Sequence, residues 1–147
     1  MTVARNLVNK IETAFIETLK TNTDFGSTPI RSWKSGANTK VMPAVLVHCE
    51  PPIIPAIDYG MKAGLYETLV DIACFTYTPD DESKTTIEVL FASVYDSLSS
   101  STLLSTLASK TSNITFYSVS ITSQQAQFDE SNHNIMAVTC TVRIKYG

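Results

Sequence analysis

Residues 134–146 alternate with a period of two. Met136, Val138, Cys140, Val142, Ile144 and Tyr146 fall on one side, and Ile135, Ala137, Thr139, Thr141, Arg143 and Lys145 on the other. Only an extended strand places residues i and i+2 on one face, so this run commits the chain to a sheet with one strongly apolar surface. Residues 65–77 repeat the pattern: Tyr66, Thr68, Val70, Ile72 and Cys74 share one face, and Glu67, Leu69, Asp71, Ala73 and Phe75 form a mixed opposite face. Segments 29–33, 42–48 and 114–121 read as further strands. Pro43 predicts that the second of these begins there or lies at an edge, because proline donates nothing to a ladder.

The rest of the order comes from helical spacing. Leu7, Ile11, Phe15 and Leu19, with Val8 and Ala14 beside them, make one stripe of an amphipathic helix that ends by Gly26. Ile87, Leu90, Phe91, Val94, Tyr95 and Leu98 make another, with Ser83 as its expected cap and Asp80, Asp81 and Glu82 near its positive end. After Ser99, Ser100 and Ser101 a shorter helix holds Leu103, Leu104 and Leu107. Two segments read as connections. Residues 122–133 are polar and predict a protruding loop. Residues 50–64 contain Pro51, Pro52 and Pro55, which break regular structure, yet keep Ile53, Ile54, Ile57, Tyr59 and Met61. Layer packing then predicts one α+β domain over residues 1–147: a mixed, mostly antiparallel sheet of about five strands with two main helices on one face.

Composition suits such a core. Apolar residues make up 44% and charged residues 17%, values of a globular chain rather than a disordered one. The formal charge is -3 and the basic residues are scattered, so neither a nucleic-acid footprint nor a polybasic membrane patch is visible. Cys49, Cys74 and Cys140 stand singly, which predicts reduced thiols in a cytosolic setting. No apolar run has the length of a membrane span or the form of a signal peptide, and a soluble, unexported protein is expected.

Residues of catalytic type do not gather into a motif. His48 and His133 lie far apart, without ligands at the spacings of a zinc site. Adjacent His48 and Cys49 point to opposite faces of a strand and make no catalytic pair. The five glycines build no phosphate loop, dinucleotide turn or nucleophile elbow. An enzyme would need distant residues such as Cys140, His48 and Asp71 to converge. The expectation is a non-enzymatic structural subunit with no cofactor and no metal.

Taken in order, the helix LVNKIETAFIETL, the strands MPAVLVHC and LYETLVDIACFTYT, the helix DDESKTTIEVLFASVYDSL and the closing strands ITFYSVSIT and NIMAVTCTVRIKYG resemble the tail-terminator, or tail-completion, subunits of long-tailed bacteriophages. The resemblance covers nearly the full length and rests on order and element lengths, not on a fingerprint. It implies a virion neck protein assembled in the host cytoplasm as a ring, six-membered in that family. Such a ring caps the tail tube, meets a head connector or head-completion protein, and passes DNA through its lumen without specific binding. It implies no catalytic residues and no membrane. On this reading Ile53, Ile54, Ile57, Tyr59 and Met61 form a contact arm to a neighbouring subunit or the tube, and Glu67 and Asp71 are candidate lumen charges. The alternatives within the same assembly are another neck connector or a tail-tube subunit. The alternative of another class is a small cytosolic ligand-binding or chaperone-like module.

Overall fold

A computed structural model describes residues 2–33, 43–55, 65–76, 81–128 and 134–146, with side chains over 7–33, 43–50, 66–76, 85–127 and 134–145. Helix α1 (Thr2–Lys20) leads through a single 3-10 turn at Thr23–Phe25 into the short strand β1 (Ile30–Ser32). Strands β2 (Ala44–Pro55) and β3 (Leu65–Thr76) follow, then helices α2 (Asp81–Leu98) and α3 (Leu103–Ser109), then strands β4 (Ile114–Phe128) and β5 (Asn134–Tyr146). The five strands form one sheet in the order β1-β2-β3-β5-β4, antiparallel throughout except where β1 runs parallel to β2. This is the α+β architecture that the alternation predicts.

All three helices pack on the face that carries the apolar half of each alternation. Leu7, Ile11, Ala14, Phe15 and Leu19 of α1 are fully buried, as are Val70, Ile72 and Cys74 of β3 and Val138, Cys140 and Val142 of β5. Helix α1 lies over β1 and β2, α2 over β3 and β5, and α3 against the start of β4. Phe15 meets Phe116 edge-on, with ring centroids 6.3 Å apart. Each buried Leu, Ile, Val or Phe among them contributes about 1.5–3 kcal/mol of transfer free energy, so these layers set the sheet's inner face. Asn22 joins the layers at one end. Its amide nitrogen donates to the Ser93 carbonyl and the Ser97 hydroxyl of α2, and its oxygen accepts the Asp24 N–H of the 3-10 turn.

Four expectations are corrected. Strand β2 does not stop at His48 but runs to Pro55, so Ile53 and Ile54 belong to a strand rather than to a loop. The prolines are tolerated there because β1 pairs with β2 only as far as Val47, which leaves the later part of β2 an edge among the described residues. Pro51 and Pro52 also fall in the register break between Glu50 and Ile54, where no ladder partner is lost. Strand β4 likewise continues to Phe128, pairing with β5 as far as Asn134, so most of the polar segment 122–133 is strand. Two bulges, at Tyr117 and Thr122, break the simple alternation by which that strand would be recognised. Helix α2 begins at Asp81, so Ser83 lies inside its first turn and is not the cap. Its buried stripe is Ile87, Leu90, Val94 and Leu98, while Phe91 is only half-buried and Tyr95 is exposed.

Candidate functional site

The sheet face away from the helices has no described helix over it, and it gathers the polar half of every alternation. Register aligns its residues in rows. His48, Asp71, Thr139 and Ser123 cross β2, β3, β5 and β4 in one row, and Glu50, Leu69, Thr141 and Ser120 form the next. Further along, Ile54, Glu67, Arg143 and Ser118 make another row, and Lys145 follows on β5. The described charges on this face are Arg31, Glu50, Glu67, Asp71, Arg143 and Lys145, three carboxylates against three cations.

Both proposed lumen charges, Glu67 and Asp71, therefore lie on the open face, but each has a partner. Arg143 Nε donates to Glu67 Oε2 at 2.8 Å, a direct cross-strand pair in which both side chains are well exposed. Asp71 accepts the Thr139 hydroxyl on Oδ1 at 2.6 Å, while its Oδ2 stands 3.8 Å from His48 Nδ1. The indole of Trp33, itself half-exposed at the end of β1, packs against the imidazole of His48 with ring centroids 4.6 Å apart.

The register also brings together groups that their sequence spacing does not mark as ligands. His48 and Glu50 share a face because they are two residues apart on β2, and Asp71 sits directly opposite His48 on β3. One ligand atom from each lies within 4.8 Å of the other two, and all three residues are half-buried. The i, i+2 spacing of His48 and Glu50 was visible in the sequence, but Asp71 joins them only through strand register. Cys140 does not join this group, since it lies on the core face with Cys49 and Cys74. Burial pushes the Cys49 and Cys74 thiols up to about 12 and Cys140 to about 11, so none is a ready thiolate.

Of the five contact-arm residues, Ile54 pairs with Glu67 in the ladder and Ile53 lies in the register break of β2. Ile57, Tyr59 and Met61 lie outside the described residues. On the helical side, a hollow of about 240 Å³ is lined mainly by hydroxyl and amide groups, among them Thr18, Asn22, Ser97 and Thr106. Among the described residues, no helix is long and apolar enough to cross a membrane.

No family model matches the chain, and no curated protein does. Among solved structures the fold is similar to a chain of the virion of a native gene transfer agent particle. That match has a TM-score of 0.64 and 12% sequence identity, and it covers 91% of this chain and 93% of the other.

Proposed function

We propose that this chain is a structural subunit of a phage-like virion, and within it a ring-forming tail terminator that caps the tail tube and joins it to the head connector. The observation that carries the reading is the likeness of fold to a virion chain, which spans nearly all of both chains. The element order read from the sequence supports the finer role.

On this reading the work is done by surfaces, and no reaction is assigned to any residue. The face opposite the helices and the two sheet edges among the described residues, β4 and the later part of β2, are the surfaces offered to neighbouring subunits and to the lumen. With the Glu67–Arg143 pair closed on itself and the described charges of the face in balance, no cationic patch is left among the described residues to hold DNA, which suits a wall along which it moves.

The test is assembly. Native mass spectrometry or light scattering of the purified chain, alone and mixed with the tube subunit of the same particle, is expected to show a closed multiple of 16.1 kDa, near six copies. A chain that remains monomeric on polymerised tube and leaves tube length unregulated overturns the terminator role.

A further inference from the structure

We propose that His48, Glu50 and Asp71 form a binding site for a divalent transition-metal ion, best matched by Zn²⁺, on the sheet face opposite the described helices. The proposal is independent of the assembly role.

The donor set carries the argument. One imidazole nitrogen and two carboxylate oxygens converge within 4.8 Å, from residues whose backbones are set by the β2–β3 ladder and not by loops. Tetrahedral coordination with bonds near 2.0–2.1 Å needs donor separations of about 3.3 Å, so small rotations of three side chains close the site. A carboxylate pair alone would suit Mg²⁺ or Ca²⁺, but the imidazole shifts the preference toward Zn²⁺. Two carboxylates facing one another repel, and a dication between them removes that repulsion.

The surroundings orient the ligands. Thr139 donates to Asp71 Oδ1 at 2.6 Å, and the other oxygen, Oδ2, is the one nearest His48. The Trp33 ring against His48 restrains the plane of the imidazole. Such outer contacts are a regular part of metal centres, and Thr139 is here a positioning residue. With three protein ligands, a fourth position remains for water or for a group from outside the chain. The cysteines are poor competitors, because all three are buried and protonated in the folded chain.

Calorimetric titration of the full chain with ZnCl₂ is the test, with the imidazole nitrogen resonances of the two histidines followed by NMR. One ion per chain is expected, with the His48 signals shifted and those of His133 unmoved. His48→Ala and Asp71→Asn should each weaken binding by more than about tenfold, and Thr139→Val by on the order of tenfold. His133→Ala should change nothing. Circular dichroism checks each variant, and Glu50→Gln, next to the strand's register break, serves in place of any that fails to fold. Binding that survives in His48→Ala, that is lost in His133→Ala, or that is matched by Mg²⁺ without any dependence on His48 overturns the proposal, as does the absence of saturable binding.

Discussion

The Glu12 carboxylate of α1 accepts the backbone N–H of Cys49 at 3.0 Å, taking the place that the next carbonyl of β1 would fill if that strand were longer. In the parallel β1–β2 ladder, the Val45 N–H donates to the Pro29 carbonyl, and the same step along β2 brings Cys49 to the level of Trp33, just past the end of β1. Glu12 completes the ladder there. Its other oxygen accepts the Ser32 hydroxyl at 2.9 Å, so one buried side chain ties the helix to the end of β1 and the middle of β2.

Removing that carboxylate leaves a buried N–H without an acceptor. Glu12→Ala is therefore expected to destabilise the fold by about 1–3 kcal/mol, and Glu12→Gln by less, because an amide oxygen still accepts one of the two bonds. Urea denaturation with an unchanged m-value would measure both. A loss under about 0.5 kcal/mol for Glu12→Ala would show that water or another group replaces the carboxylate.

The buried stripe of α2 gives a second expectation. Ile87→Ala removes a fully buried side chain and should cost about 2–5 kcal/mol, whereas Tyr95→Ala on the exposed flank should stay within about 0.5 kcal/mol. Half-buried Phe91 should fall between them. Equal losses at Ile87 and Tyr95 would mean that the helix packs on a different face.

How far the sequence reveals this fold depends on whether periodicity is local and unbroken. Strands β3 and β5 alternate without interruption and are readable almost to the residue, as is the Leu7 to Leu19 stripe. Strand β4 is readable only to Ile121, because bulges at Tyr117 and Thr122 each shift the phase by one residue and Ser123, Gln124 and Gln125 are polar on both sides. Prolines hide the second half of β2, since whether a proline interrupts a strand depends on which neighbour lies beside it, and that is a property of the sheet. The same limit applies to the site. The mixed face of β3 was visible with Glu67 and Asp71 on it, but their pairing with Arg143, Thr139 and His48 is a product of register. Glu12 offered no signal beyond a carboxylate one residue from Ile11 in the buried stripe.

The three thiols make stability depend on pH in the alkaline range. Desolvation is the main cause of each raised pKa; in Cys49 the hydrogen bond with Thr68 partly offsets it. The folded chain then holds protons that the unfolded chain releases above about 9. Stability from this source is complete below about pH 9 and is lost as pH rises toward 11–12, by up to about 1.4 kcal/mol per pH unit for each thiol. Thermal melts from pH 8 to 11 should fall accordingly, and a triple Cys→Ala variant should show a shallower slope. Three thiols should also titrate in denaturant after non-reducing preparation but resist alkylation in the native state. An unchanged slope in the triple variant would assign the alkaline loss to other groups.

The last expectation concerns the connection between β2 and β3, where the sequence places Ile57, Tyr59 and Met61. Because β2 runs to Pro55 and pairs Ile54 with Glu67, a test of the contact arm must spare both strands and begin after Pro55. Apolar side chains in a connection between paired strands mark a surface that gains by being covered, and Pro55 at its base limits the entropy lost when it docks. Replacing residues 56–63 by a short Gly-Ser linker should leave the circular dichroism and the melting midpoint nearly unchanged while abolishing closed assemblies in native mass spectrometry. The triple variant Ile57→Ser, Tyr59→Ser and Met61→Ser keeps the chain length and should do the same, which separates lost contacts from altered loop length. Should either variant unfold, the segment caps its own core. Should both assemble as the parent does, subunit contact resides elsewhere, on the sheet face or its edges.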